Sequence, residues 1–251
     1  MVPGAAWCLG ALLGAASTAT AEDCRLALVL ALDVSSSVDS REHRLQREGL
    51  AQALLTSEVV RAFLAADPVA LYIFEWNSPS TQAPLPPGWQ VIRSEADLAS
   101  VSATLTTQAR GGRHDPHHST ALGAALAFAA EALEEGPDCR ARTVDVSGDG
   151  VSNHGISPAS VFDLYTFDAV TVNALVIGGA GNDETLEAWF RSEVLHGPSA
   201  FAVVTRGYED YARTMEAKLL RELEHSTVSG WAGDAKTGAA WAMAPPAEHD
   251  P

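Results

Sequence analysis

Basic residues are scarce in this sequence. Only 16 Lys and Arg stand against 32 Asp and Glu, giving a formal net charge of −16. No basic surface is available to displace the counterions of a nucleic-acid backbone, so nucleic acid is excluded as a partner. Cysteine is rare too, with three residues at positions 8, 24 and 139, and two isolated thiols do not make a metal site. No apolar run is long and unbroken enough for a stable membrane span; the first 21 residues come nearest and are too short and too interrupted. There is no internal repeat. There is no phosphate-binding Gly-rich loop, no G-x-S-x-G elbow and no Ser-His-Asp set that can be placed. The sequence therefore reads as a non-enzyme.

What is present bounds the architecture. The chain has 251 residues, 47% of them hydrophobic, enough for one sizeable α/β domain with a buried core. Residues 1–21 carry no charge and are rich in Ala, Gly and Leu. They read as a signal peptide with Ala19-Thr20-Ala21 as its cleavage site, although no Lys or Arg precedes the apolar part. The other reading is a buried N-terminal helix. Export makes the expected location periplasmic or secreted, and it removes Cys8. Cys24 and Cys139 each sit just before an apolar run, Leu26–Leu32 and Thr143–Ser147. If those runs are neighbouring parallel strands, the two cysteines meet at one pole, where an oxidising compartment permits a disulfide. The alternative is two separate thiols.

Apolar runs and helical patterns alternate along the chain. Strands are expected at Leu26–Leu32, Val69–Trp76, Thr143–Ser147, Val170–Ile177 and Ala200–Val204, with a short edge strand at Trp89–Ile92. Helices are expected from Asp39 to about Ala66 and over Glu95–Gln108, Thr120–Glu135, Pro158–Phe167, Glu184–Leu195 and Tyr208–Glu224. Ser94 and Ser157 are the expected caps of two of them. Such alternation predicts a doubly wound, mostly parallel central sheet with helices on both faces and one short antiparallel edge strand. Residues 22–225 form that domain. Residues 226–251, rich in Ala, Gly and Pro, read as a flexible tail in which Trp231 and Trp241 stand out.

The chain is organised around its first buried strand. Seven apolar residues, Leu26 to Leu32, stop at Asp33, and Ser35, Ser36 and Ser37 follow. Open α/β sheets place their ligand sites at such carboxyl ends. Asp149 also ends a buried strand, and Thr120 starts a helix after a Gly- and His-rich loop. Brought to one crevice, Asp33, Ser35, Ser37, Thr120 and Asp149 present two carboxylates and three hydroxyls. Two close carboxylates repel and raise one pKa, a penalty that a divalent cation removes. All-oxygen ligation with little charge suits Mg²⁺ first, or Mn²⁺ or Ca²⁺, rather than Zn²⁺. Taken alone, Asp33 and the serines would serve equally as a helix N-cap cluster.

Asp33-Val34-Ser35-Ser36-Ser37 resembles the D-x-S-x-S motif of the von Willebrand factor type A domain. Thr120 with Ala121-Leu122-Gly123 is similar to that family's threonine before its helix, and Asp149-Gly150 to its last metal-binding aspartate. The likeness covers about Cys24 to Glu224. It is closer still to a group of exported bacterial proteins, the DUF1194 family, whose function is undefined. Segments that carry it are Gln46-Arg47-Glu48-Gly49-Leu50, Glu75-Trp76, Val144 to Gly150, Gly197 to Thr205 and Lys218 to Glu222. One departure is His118-Ser119 before Thr120, where the family has small glycines. The resemblance implies a metal-ion-dependent adhesion site. Ser35 and Ser37 would ligate directly, Thr120 directly or through water, and Asp33 and Asp149 mostly through water. It implies an exported, adhesion-type protein-binding module whose partner supplies an Asp or Glu carboxylate to the ion. The alternatives are an assembly protein with a vestigial metal site and a Mg-dependent hydrolase.

Other polar residues carry blander expectations. Ser36 is expected to pack or cap. Asp145, inside a strand, needs a partner, and Arg140 or Arg142 is the expected one. Glu75 either orients a metal-bound water or forms a surface pair. Asn153 braces the loop after Asp149. His114, Asp115, His117 and His118 form a cluster that could ligate zinc or nickel, but Pro116 and the irregular spacing favour a solvated loop.

Overall fold

The structure, a computed structural model, describes residues 24–108, 119–179, 181 and 183–231, and for 225–231 the backbone only. The proposed signal peptide, the His114–His118 cluster and Trp241 lie outside the described residues.

The first strand, β1, spans Cys24–Asp33 and is buried at every position. Burial on both faces follows from its central place: β1 pairs in parallel with β2 (Val69–Trp76) on one side and β5 (Cys139–Gly148) on the other. Beyond β5 lie β6 (Val170–Ile177) and β7 (Ala202–Thr205), both parallel. The far side of β2 carries two short antiparallel strands, β3 (Ala83–Pro84) and β4 (Gln90–Ile92). The sheet order is β3-β2-β1-β5-β6-β7, with β4 also on β2. The expected doubly wound sheet is observed. Its antiparallel edge consists of two pieces, because β3 hides in the Pro-rich loop after β2.

Side-chain size differs between the two faces of β1. Ala27, Val29 and Ala31 face α4 (Leu122–Glu135), α5 (Pro158–Leu164) and α6 (Asp183–Glu193). Leu26, Leu28, Leu30 and Leu32 face α1 (Ser40–Leu54), α2 (Ser57–Leu64), α3 (Glu95–Thr107) and α7 (Tyr211–Trp231). Each of those leucines is fully buried and stabilises the fold by roughly 2 kcal/mol. The alanine-rich α4 suits the small face of the strand. Its Gly123 is required by packing: an added Cβ would lie 2.0 Å from the Ile156 carbonyl oxygen.

Two boundaries depart from expectation. The helix expected from Asp39 to Ala66 is two helices, broken at Thr56, whose backbone is extended. The Thr56 hydroxyl donates to the Ala53 carbonyl at 3.2 Å, and Leu55 at the break is 43% exposed. The turn brings Val59 and Phe63 of α2 into the core, which one straight helix would not do. At the other end, α7 continues to Trp231, past the Glu224 at which its apolar pattern ends. Helix propagation needs only one further backbone bond per residue, so the missing pattern does not stop it. The part of the proposed tail from Ser226 to Trp231 is therefore helical.

The amino-terminal pole of the sheet is pinned by Cys24 and Cys139, which are register partners at the starts of β1 and β5 and form a disulfide. Arg25 beside them is 1% exposed. It donates to the carbonyls of Ala62 and Phe63 in the last turn of α2, of Asp67 just after that helix and of Leu223 within α7, tying both helices to the sheet.

Under α7 lies a buried charge network. Lys218 pairs with Asp145 at 2.8 Å and with Glu222 at 2.6 Å, and Asn173 donates to Glu222 at 3.0 Å. Asp145 thus has Lys218 as its partner. The expected arginines turn elsewhere, Arg140 to Asp67 and Arg142 to Asp138. The reason is direction: Arg140 and Arg142 lie at the exposed start of β5, whereas α7 covers the buried half. Burial opposes the Lys218 charge, but the two carboxylates outweigh it and raise its pKa.

Candidate metal centre

The carboxyl ends of β1 and β5 place two aspartates side by side. Asp33 ends β1 and is fully buried; Asp149, just after β5, is half-buried. Between β1 and α1 the chain makes a tight turn, closed by a bond from the Val38 amide to the Ser35 carbonyl. The Ser35 amide donates to Asp33 Oδ1 at 2.7 Å. The turn lines up the hydroxyls: Ser35 Oγ lies 3.1 Å from Ser37 Oγ, and Ser37 Oγ donates to Asp149 Oδ1 at 2.6 Å. Asp33, Ser35, Ser37 and Asp149 therefore form one connected group running from the buried strand end to the surface. Ser36, expected to pack or cap, is exposed, and the cap of α1 is Asp39.

The capping alternative is excluded. Asp39 is the N-cap of α1; its side chain accepts from the amides of Arg41 and Glu42, and Glu42 accepts from the Asp39 amide. Neither Asp33 nor the serines are needed for that work.

Thr120 is placed by its backbone. Its amide donates to Asn153 Oδ1 at 2.8 Å, and its carbonyl accepts from the Asn153 amide at 2.9 Å and the Ser152 hydroxyl at 3.2 Å. The next amide, Ala121, donates to the Asn77 carbonyl after β2. Asn153 thus braces the loop after Asp149 against Thr120, as expected. Thr120 is 6% exposed, and among the described residues no hydrogen bond joins its hydroxyl to the Asp33–Asp149 group.

Electrostatically the group is unfinished. Asp33 Oδ2 is buried with no hydrogen-bond partner among the described residues. Burial and then the neighbouring Asp149 push the Asp33 carboxyl up to about 7, against the pull of hydrogen bonds from Ser35 and Asp149. Space is kept for it: a Cβ on Gly148 would lie 3.3 Å from Asp33 Oδ2. An orphaned buried oxygen and two close carboxylates are what a hard divalent cation satisfies. Among the described residues no group of three or more His, Cys, Asp or Glu side chains could hold a metal. This donor set is of another kind, with two carboxylates and the hydroxyls of serine and threonine.

Tyr208 joins the group from a distant part of the chain. It lies in a 3₁₀ turn, Tyr208–Asp210, just before α7, is 5% exposed, and its hydroxyl donates to Asp149 Oδ2 at 3.1 Å. Burial and the two aspartates push its own pKa far up, so it stays a donor. Nothing in its local sequence, Arg206-Gly207-Tyr208, marks it. Only the return of the chain after β7 brings it to the site.

Glu75 is not a surface pair. It is fully buried, shares a 2.6 Å hydrogen bond with His43 Nε2 and lies 3.8 Å from Arg47 Nε. It ties α1 to β2 on the leucine face of the sheet.

The sequence matches a family described as "Protein of unknown function (DUF1194)" over residues 23–227. The chain belongs to the DUF1194 family. No curated protein matches it. Among solved structures, this DUF1194 chain is similar to a von Willebrand factor type A protein from Catenulispora acidiphila. The TM-score is 0.52 and the identity 15%, over 80% of this chain and 43% of that one. It is also similar to proximal thread matrix protein 1 from the mussel byssus, with TM-score 0.51, 16% identity and coverage of 80% and 48%. A third similar structure is the pilus adhesin SpaC from Lactobacillus rhamnosus GG, with TM-score 0.55, 13% identity and coverage of 82% and 31%. At these identities the likeness establishes the fold, that of a von Willebrand factor type A domain. The chain spans less than half the length of each of these structures.

Proposed function

We propose that this DUF1194 protein is an exported, non-enzymatic binding module that holds a divalent cation, Mg²⁺ before Mn²⁺ or Ca²⁺, at Asp33, Ser35, Ser37, Thr120 and Asp149. The observation that carries the proposal is Asp33 Oδ2, buried beside a second carboxylate with no hydrogen-bond partner among the described residues. Ser35 and Ser37 supply neutral oxygens, Asp33 and Asp149 the charge, and Thr120 a hydroxyl from a clamped loop. A bound cation would supply an electrophilic position for one outside oxygen ligand. Few protein charges surround that position, so an anionic oxygen, the carboxylate of an Asp or Glu on a protein partner, suits it best. Chains of the same fold include a byssus thread matrix protein and a pilus adhesin, which supports a binding role. The Cys24–Cys139 disulfide supports an oxidising, extracytoplasmic location. Among the described residues no helix is long and apolar enough to cross a membrane.

The open position is tested by calorimetric titration of the magnesium-loaded protein with a short Asp-containing peptide and with its Asn counterpart. Heat of binding is expected for the Asp peptide alone, and none after chelation. Equal binding of the two peptides, or binding that survives chelation, would refute a carboxylate-to-cation contact.

A further inference from the structure

We propose that Tyr208 sets the cation preference of this site: by holding Asp149 Oδ2 it restricts Asp149 to one-oxygen use and so favours Mg²⁺ over Ca²⁺. The proposal rests on the cation-site reading above and concerns a residue outside the donor set.

Asp149 is the half-buried carboxylate of the group, and both its oxygens are engaged by hydroxyl donors. Ser37 donates to Oδ1 at 2.6 Å and Tyr208 to Oδ2 at 3.1 Å. The first donor is itself a candidate ligand, so Oδ1 is the oxygen turned toward the ion. The second draws Oδ2 toward the start of α7. Tyr208 cannot follow the carboxylate if it rotates. Its ring is part of the core beneath α1 and α7, packed in the cluster that includes Val38, Leu50 and Tyr211. Its turn is also held on both sides. Thr205 donates to the Gly207 carbonyl at 2.9 Å, and Glu209 pairs with Arg41 of α1 at 2.7 Å. An Asp149 that turned both oxygens to an ion beside Ser37 would break the tyrosine bond and strand a buried phenol.

That constraint separates the two ions. Ca²⁺ takes more oxygens in a looser shell and often uses both oxygens of one carboxylate. Mg²⁺ demands near-octahedral geometry, keeps several waters and is content with one carboxylate oxygen or with a carboxylate acting through water. Partners that orient ligating carboxylates through hydrogen bonds are known to tune metal affinity.

The test is calorimetric titration of the full chain with MgCl₂ and, separately, CaCl₂, for the wild type and Tyr208→Phe, which keeps the ring and removes only the hydroxyl. The wild type is expected to bind Mg²⁺ more tightly. The variant is expected to lose roughly tenfold in Mg²⁺ affinity with Ca²⁺ affinity unchanged or improved, so the preference narrows. A tyrosine that merely supports the fold would weaken both ions alike; that result, or no change in either affinity, overturns the proposal. A wild type that binds neither ion overturns the cation site itself and is distinguishable from those outcomes. Should the variant fail to fold, difference infrared spectra of the wild type decide the point. On adding Ca²⁺ the carboxylate stretches are expected to show a one-oxygen pattern, and a two-oxygen pattern overturns the role of Tyr208.

Discussion

Replacing Cys24 and Cys139 together with alanine is expected to lower the free energy of unfolding by roughly 4–5 kcal/mol. The disulfide spans 115 residues, more than half of the domain. Without it the unfolded chain regains the freedom of that long loop, and the entropy of loop closure sets the size of the effect. The folded state loses little else. Leu26 and Ala141 continue the β1–β5 register immediately beyond the bridge, and the surrounding side chains are already buried. The bridge lies at the opposite end of β1 from Asp33, roughly 30 Å away along a ten-residue strand. Cation binding by the folded double variant is therefore expected to match the wild type. Urea unfolding under oxidising conditions measures the first effect and calorimetry the second. A stability loss below about 1 kcal/mol would show that the crosslink constrains little.

The second large effect belongs to Lys218. Changing it to methionine keeps much of the packing volume but strands Asp145 and Glu222, whose side chains are 1% and 2% exposed. Breaking a buried ion pair from one side typically costs about 3–5 kcal/mol. The loss is expected to depend on pH. Burial already raises the Asp145 carboxyl, Lys218 pulls it down, and Glu222 pushes it further up. Removing Lys218 leaves only the upward influences, so the folded variant binds protons that the unfolded chain would release. A raised folded pKa gives stability that is present at low pH and lost as pH rises through it. The deficit relative to wild type is therefore expected to be smallest near pH 5 and largest above pH 7, read as urea midpoints at both. Adding Asp145→Val to Lys218→Met is expected to recover part of the loss, because an apolar pair replaces an unpaired charge. A deficit independent of pH would mean that lost packing, not stranded charge, destabilises the variant.

The parts of this molecule legible in the sequence are those written in local pattern. The seven apolar residues of β1 between the cysteine and Asp33 announce a central strand, and alternation of strands and helices announces the sheet order's general type. Ser94 and Ser157 cap α3 and α5 because a hydroxyl before a helical run has that chemistry wherever it occurs. The connected group of Asp33, Ser35, Ser37 and Asp149 was visible because each member follows a strand end, and strand ends of one parallel sheet converge. What was not legible depends on chain return from a distance. Tyr208 reaches Asp149 across 59 positions, and Lys218 meets Asp145 across the thickness of a helix layer. The arginines near Asp145 in sequence were the plausible partners, and strand direction carried them to the exposed end instead. The break at Thr56 was hidden for another reason: both halves have helical composition, and the turn is chosen by where Val59 and Phe63 must pack.

The measurement that bears most directly on the cation site is calorimetric titration of the full chain with MgCl₂, beside an Asp33→Asn variant shown to be folded by circular dichroism. Asparagine keeps the shape of Asp33 while removing its charge and the need to satisfy it, so folding is expected to be unimpaired. Saturable binding of one Mg²⁺ per chain is expected for the wild type, with affinity reduced at least tenfold in the variant, the scale on which metal sites respond to altered ligand support. Wild-type protein that is folded and takes up no Mg²⁺, Mn²⁺ or Ca²⁺, or a variant that binds as tightly as the wild type, would contradict a cation held at Asp33.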